Sequence, residues 1–267
     1  MSFQEKAQIT LDRLAAEYSE LLGIDKEYFM TNIRIDRGKE AQFSPLNIKE
    51  NHTTVTLLSW APLFVQTGIL EHELKHFIHY KTIEKVVSEN PTEFLTYLGQ
   101  EYSPLKNHIF NDEHSQQLLK KFQEKWQSIG LQPQEFTKDI SYMIWSINHN
   151  CHNDFVESFA GDPRYNFGDY TMFAGLAING FSILQNLFTN QKITPAQIGI
   201  SLALVAGTYF SQKHKDKKLA LKDQLRNFPT QDIKYLLAAP PKKGINYYDH
   251  FNKLRTFGFP TSLYGKT

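Results

Sequence analysis

Apolar side chains recur at three- and four-residue spacing through residues 4–22, at Ile9, Leu11, Leu14, Ala15, Tyr18, Leu21 and Leu22. That period predicts an amphipathic helix, and Gly23 marks its end. The period then shortens. Residues 31–36 alternate apolar and polar and predict a strand, with a turn at Arg37-Gly38-Lys39. Residues 41–44 predict a second short strand stopped by Pro45, and 47–51 a polar loop. Thr53–Ser59, rich in β-branched residues, predicts a third strand. After Pro62 the helical period returns, with Leu70, Leu74, Phe77, Ile78 and Ile83 on one stripe.

Beyond residue 83 the signal is almost wholly helical. Residues 84–130 read as polar helix broken at Pro91, Pro104 and Gly130, with a stripe of Leu118, Leu119, Phe122 and Trp126. Ile140, Met143, Ile144 and Ile147 start another periodic segment, which runs into a stretch dense in chemistry over 148–162. Residues 170–188 and 195–210 are strongly apolar, separated by the short linker 189–194 and followed by Lys213, His214, Lys215, Lys217 and Lys218. An amphipathic helix interrupted at Pro229 is predicted over 219–239, and Pro240-Pro241 stops it. The tail 245–267 carries Tyr247, Tyr248, Phe251, Phe257, Phe259 and Tyr264, with loop at its ends. These patterns predict one domain over 1–267 with a mostly helical α+β fold. Residues 1–83 form a helix, a small sheet and a second helix; 84–165 form a helical middle; 166–267 form a helical extension with an apolar hairpin.

The helix after Pro62 carries His72-Glu73-Leu74-Lys75-His76, an H-E-x-x-H motif. Residues four apart share a helix face, so His72 and His76 are able to offer two imidazole nitrogens to one ion. Zn²⁺ takes such nitrogens, and Glu73 lies where a general base reaches water beside the metal. His79, about 10 Å along the axis from His72, reads as a surface or outer-shell histidine.

A catalytic zinc generally keeps three protein ligands, and a Glu from a second helix is a standard third. Glu157 is the choice, because it sits among Phe155, Val156, Phe159 and Ala160, where a carboxylate needs a cation. His149, His152 and Asp154 are its rivals. If 148–162 is a single helix, Asp154, Glu157 and Gly161 share a face. Asp162 is a candidate acceptor for the second ring N–H of a ligating histidine. Arg164, Tyr165, His250 and Arg255 are candidate oxyanion donors. Cys151 reads as a small buried core residue rather than a nucleophile, since neighbours in a helix do not face each other.

The run Thr53–Tyr80 resembles the core of the gluzincin peptidases, especially the compact HtpX-like and CAAX-protease-like group. Ala41-Gln42-Phe43, Val55-Thr56-Leu57, Ala61–Leu70 and His72–His76 stand in the order of that family's strand, strand, apolar segment and motif. Its third ligand is a Glu on a later helix, followed four residues on by Asp. Glu157-Ser158-Phe159-Ala160-Gly161-Asp162 is similar, with the Asp five residues on. The resemblance covers roughly residues 30–165. It implies a zincin-like fold with the sheet packed on the motif helix and Zn²⁺ held by His72, His76 and Glu157. It also implies peptide-bond hydrolysis with Glu73 as base and a protein or peptide substrate. A free edge strand beside the metal would receive that substrate.

Composition narrows the alternatives. The 267 residues carry 41% hydrophobic and 13% aromatic side chains, a globular makeup. The formal net charge of +1 gives no general electrostatic case for nucleic acid. One cysteine excludes an intrachain disulfide and a Cys-rich zinc site. The first residues lack a basic region followed by an apolar run, so no cleaved signal peptide is expected and the location is cytoplasmic or membrane-associated. For 170–210 the reading adopted is a buried hairpin packed behind the metal, with membrane contact as the other possibility. The alternative to a metallopeptidase is a non-catalytic, zinc-containing interaction or membrane-associated module.

Overall fold

A computed structural model describes residues 2–49, 51–61, 63–102, 137–161, 175–207 apart from 176, 187, 190, 191 and 193, and 225–262 apart from 243. Helix α1 (Phe3–Leu22) opens on a capping box, Ser2 with Glu5, and closes on Gly23 in the left-handed region at φ 63°. Its buried stripe is Ala7, Leu11, Leu14, Ala15, Tyr18 and Leu22. Strands β1 (Asn32–Gly38), β2 (Gln42–Phe43) and β3 (His52–Leu58) form one sheet in the order β1-β3-β2. β1 runs parallel to β3, and β2 antiparallel to it with Phe43 opposite Val55. The turn expected at Arg37–Lys39 starts later, because Arg37 and Gly38 pair with Leu57 and Leu58. A Cβ at Gly38 would stand 2.7 Å from the Thr56 methyl, so any larger residue there forces that side chain to shift.

Helix α2 (Leu63–Glu89) is the axis of the molecule, and α3 (Pro91–Tyr102) follows with its proline in the first turn. α2 packs on α1 and the sheet, on α4 (Thr137–Cys151) and α5 (Asn153–Ala160), and on α6 (Thr230–Ala238). α7 (Tyr247–Thr256) lies inside the aromatic tail. One core unites them, including Leu70, Leu74, Phe77, Ile78, Ile144, Ile147 and Leu236, all buried. The fold is thus mostly helical α+β with a small sheet against the motif helix. Phe43 makes that junction, meeting Phe77 and Trp145 edge-on with ring centroids 5.7 and 6.4 Å away.

The last carbonyls of α6 have no partner in their own helix. Three distant side chains supply one. His79 Nε2–H donates to Leu237 O at 2.8 Å, and the Asn148 amide to Leu237 O and Ala238 O. His250 Nε2–H donates to Ala239 O at 2.6 Å. His79 is therefore buried and structural, not at the surface, and His250 is already committed rather than awaiting an oxyanion.

Three further expectations are corrected. Residues 148–160 fall in two helices instead of one, because the chain breaks at His152, whose φ of −126° and ψ of 29° are not helical. Cys151 is exposed instead of buried. It would continue the stripe of Ile144 and Ile147, but it is the last residue of α4, where the covered face ends. The hairpin expected in the core has exposed outer faces, with Ile178 71%, Phe181 70% and Phe188 87% accessible. The Leu118–Trp126 stripe, Asp162, Arg164, Tyr165 and the 213–218 cluster lie outside the described residues.

Candidate metal centre

His72 and His76 project from one face of α2, as their spacing requires. Their Nε2 atoms are 3.0 Å apart. Glu157 reaches them from α5, with Oε2 3.5 Å from His72 Nε2 and Oε1 3.7 Å from His76 Nε2. Among the described residues these three side chains form the one group able to hold a metal. Donors bound tetrahedrally at 2.0–2.1 Å stand roughly 3.3 Å from each other, so the triangle has the right size.

The surrounding hydrogen bonds decide which nitrogens face the centre. His72 Nδ1–H donates to the carbonyl of Gly161. Gly161 has φ 75°, a conformation that favours glycine and brings the chain back over α2. On the other side, His149 Nδ1–H donates to Trp145 O at 3.0 Å. His149 Nε2 is then an acceptor, and it takes the Nδ1–H of His76 at 3.3 Å. Both motif histidines have thus given away their Nδ1 protons, so both Nε2 atoms carry lone pairs. Two lone pairs facing each other at 3.0 Å repel unless a cation lies between. Burial and the neighbouring imidazoles hold the His76 pKa well below 6.5, keeping it in the neutral form a metal needs. The donor set therefore fits a divalent ion.

Glu73 lies beside the triangle and is buried. Burial pushes its pKa up to about 7; the Glu157 charge adds to this and the Phe43 hydrogen bond opposes it. Its Oε2 accepts the backbone N–H of Phe43 at 2.7 Å. The edge strand is thus two residues long, with one outward donor already in use, and is less open than expected.

Glu157 does not owe its place to burial. Val156, Phe159 and Ala160 face the core while the Glu157 side chain remains 38% exposed. Two turns of helix bury one narrow stripe, and Glu157 stands on its border. Among its rivals, Asp154 is exposed and His152 accepts the first-turn amides of α5 with its carbonyl. His149 stays one shell out, its ring centroid 3.9 Å from that of Trp145. The acceptor role considered for Asp162 falls to the Gly161 carbonyl for His72 and to His149 for His76. Neither was singled out for it beforehand; a backbone carbonyl leaves no mark in sequence. Although Cys151 is exposed, partial desolvation of its sulfur raises the thiol pKa, with the Lys242 charge opposing, which disfavours the thiolate a nucleophile needs. No protein-family model matches the chain, and no curated protein or solved structure matches it either.

Proposed function

We propose that the protein is a zinc-dependent metallopeptidase that hydrolyses peptide bonds. The observation that carries the reading is the convergence of His72, His76 and Glu157 donors beside the buried Glu73 carboxylate. Two imidazoles and one carboxylate suit zinc among the common divalent ions. The order of strands, motif and later glutamate, similar to that of gluzincin peptidases, supports the same conclusion. A zinc ion held by these three side chains supplies Lewis acidity, lowering the pKa of water towards ~7 and polarising a substrate carbonyl.

The chain's own residues do the rest. Phe43 N–H fixes Glu73 through Oε2, which leaves Oε1 to take the proton from water as its oxygen bonds to the carbonyl carbon. Glu73 then hands that proton to the leaving amine nitrogen as the C–N bond breaks. In the metal-free protein burial raises the Glu73 pKa above its ordinary 4.5. Gly161 O and His149 keep both histidines aimed with Nε2 inward.

Metal analysis together with the Glu73→Gln variant tests this. The expected result is one zinc per chain in both proteins, with cleavage of an unfolded protein lost by about 10²–10⁴-fold in the variant. Unchanged cleavage rejects the base assignment. The short edge strand favours one other reading, a zinc-containing module without catalysis. Metal in both proteins and cleavage in neither would select it.

A further inference from the structure

The helical residues 177–186 and 195–207 pair as a hairpin whose polarity is reversed. Polar groups line the seam. The Asn179 amide donates to Gln197 O at 2.9 Å and to Ser201 Oγ at 2.7 Å. The Gln197 amide donates to Ser182 Oγ at 2.8 Å, and the Asn186 amide to Gln197 Oε1 at 3.2 Å. Gly175 lets the arms approach, since a Cβ there would stand 3.1 Å from Leu204. Small residues with polar hydrogen bonds between them are how helices associate when their surroundings are apolar.

The outside completes the inversion. Ile178, Phe181, Phe188 and Leu202 are each at least 66% exposed. Along 195–207 every described position except Gln197, Ser201, Leu204 and Gly207 is exposed. A protein partner lying against a helix covers one face of it. Exposure around most of the circumference calls for a surrounding apolar medium instead. Between Tyr170 and Gln212 the sequence has a single charged residue, Lys192, which falls in the linker between the arms. In sequence the second arm is followed by Lys213, Lys215, Lys217 and Lys218, charge that complements anionic headgroups.

We propose that residues 175–207 embed in the apolar layer of an anionic lipid bilayer and anchor the protein to it. No helix among the described residues is long and apolar enough to cross a membrane. The helical stretch 195–207 reaches about 20 Å, short of a ~30 Å hydrocarbon layer, so the arms enter the layer side by side with their polar seam sealed between them. This inference does not depend on the metal reading, and a His76→Ala chain is expected to bind lipid as the native chain does.

Flotation of the full-length protein tests it, with vesicles of phosphatidylcholine alone and of phosphatidylcholine mixed with phosphatidylglycerol. The native chain is expected to float with the mixed vesicles. The triple variant Ile178→Ser, Phe181→Ser, Leu202→Ser should partition at least about a hundredfold more weakly, with unchanged helical circular dichroism. As an independent readout, Phe181→Cys in a Cys151→Ser background, carrying an environment-sensitive dye, should shift its emission to the blue on addition of mixed vesicles. A folded native chain that binds neither vesicle overturns the proposal. So does a chain that self-associates through these residues and stays associated, off the vesicles, when they are present.

Discussion

In α2 and α4 the large apolar side chains Leu74, Phe77, Ile78, Ile144 and Ile147 are buried, while Glu71, Lys85 and Glu89 reach the surface in ion pairs. In the hairpin the sorting is opposite, with Asn179 buried against Gln197 and Ser201 while Phe181 and Phe188 stand outside. Helical period is the same in both, so the difference teaches what each region is folded against. Water drives apolar surface inward in the first. The second leaves that surface outward and spends its polar groups on itself, which suits a solvent that offers no hydrogen bonds. Polar groups are also buried in the body, among them the cluster of His72, Glu73 and His76 with the half-buried His149 beside it. There each has a stated partner, and the remaining lone pairs point at one spot.

The largest expected effect would break the special status of that spot. Glu157→Ala or His76→Ala should weaken zinc binding by a hundredfold or more, as about 3 kcal/mol per donor implies. Chelator competition measures it, and native affinity in either variant would remove the site. Next comes the contrast itself. Phe77→Ala should cost about 3–5 kcal/mol of stability by opening a cavity. Phe181→Ala in the same protein, away from lipid, should stay within about 0.5 kcal/mol. Denaturant midpoints compare the two, and equal costs would mean the hairpin is covered in the free protein.

His149→Ala sharpens the description of the centre with a smaller effect. Zinc should remain bound but about 10–100-fold more weakly, the usual range for losing a group that orients a ligand. The absorption spectrum of a cobalt-substituted protein should change as His76 reorients.

The smallest effects are in pH. Burial pushes the His79 pKa down to about 3 from its ordinary 6.5. The unfolded chain takes up that proton more readily, so the stability His79 contributes is whole above 6.5 and is lost as pH falls towards 3. Glu73 has the opposite sign. Its pKa is raised from 4.5 to about 7, so in the metal-free protein its contribution is whole below 4.5 and is lost as pH rises through 7. Thermal midpoints of the metal-free protein between pH 4 and 8 should show His79→Gln flattening the acid side and Glu73→Gln the neutral side.

Much of this was legible in the chain because it is local. Ser2 with Glu5, Gly23, the β-branched run of β3 and the H-E-x-x-H spacing all act within one or two turns. Glu157 was legible by chemistry, although the argument from burial was wrong, because a two-turn helix cannot bury both sides of itself. What escaped was set by distance or by solvent. The role of His149 depends on the meeting of α2 and α4, seventy-three positions apart in sequence between His76 and His149. That of Gly161 O depends on a backbone rotation. The hairpin misled because apolar content reports that a segment avoids water, and says nothing of whether protein or lipid shields it. Its seam was the readable clue: Asn179, Ser182 and Asn186 repeat at three and four residues, and so do Gln197, Ser201 and Leu204.

The carbonyls at the end of α6 carry a consequence for biosynthesis. By the time Gly161 leaves the ribosome, His72, His76 and Glu157 have all been made. The acceptors that hold His79 and Asn148 in register follow only at Leu237 and Ala238. At 5–20 residues per second that interval is roughly ten seconds. The contacts that lock the motif helix and α4 to α6 therefore form only when the far end of the polypeptide has been made.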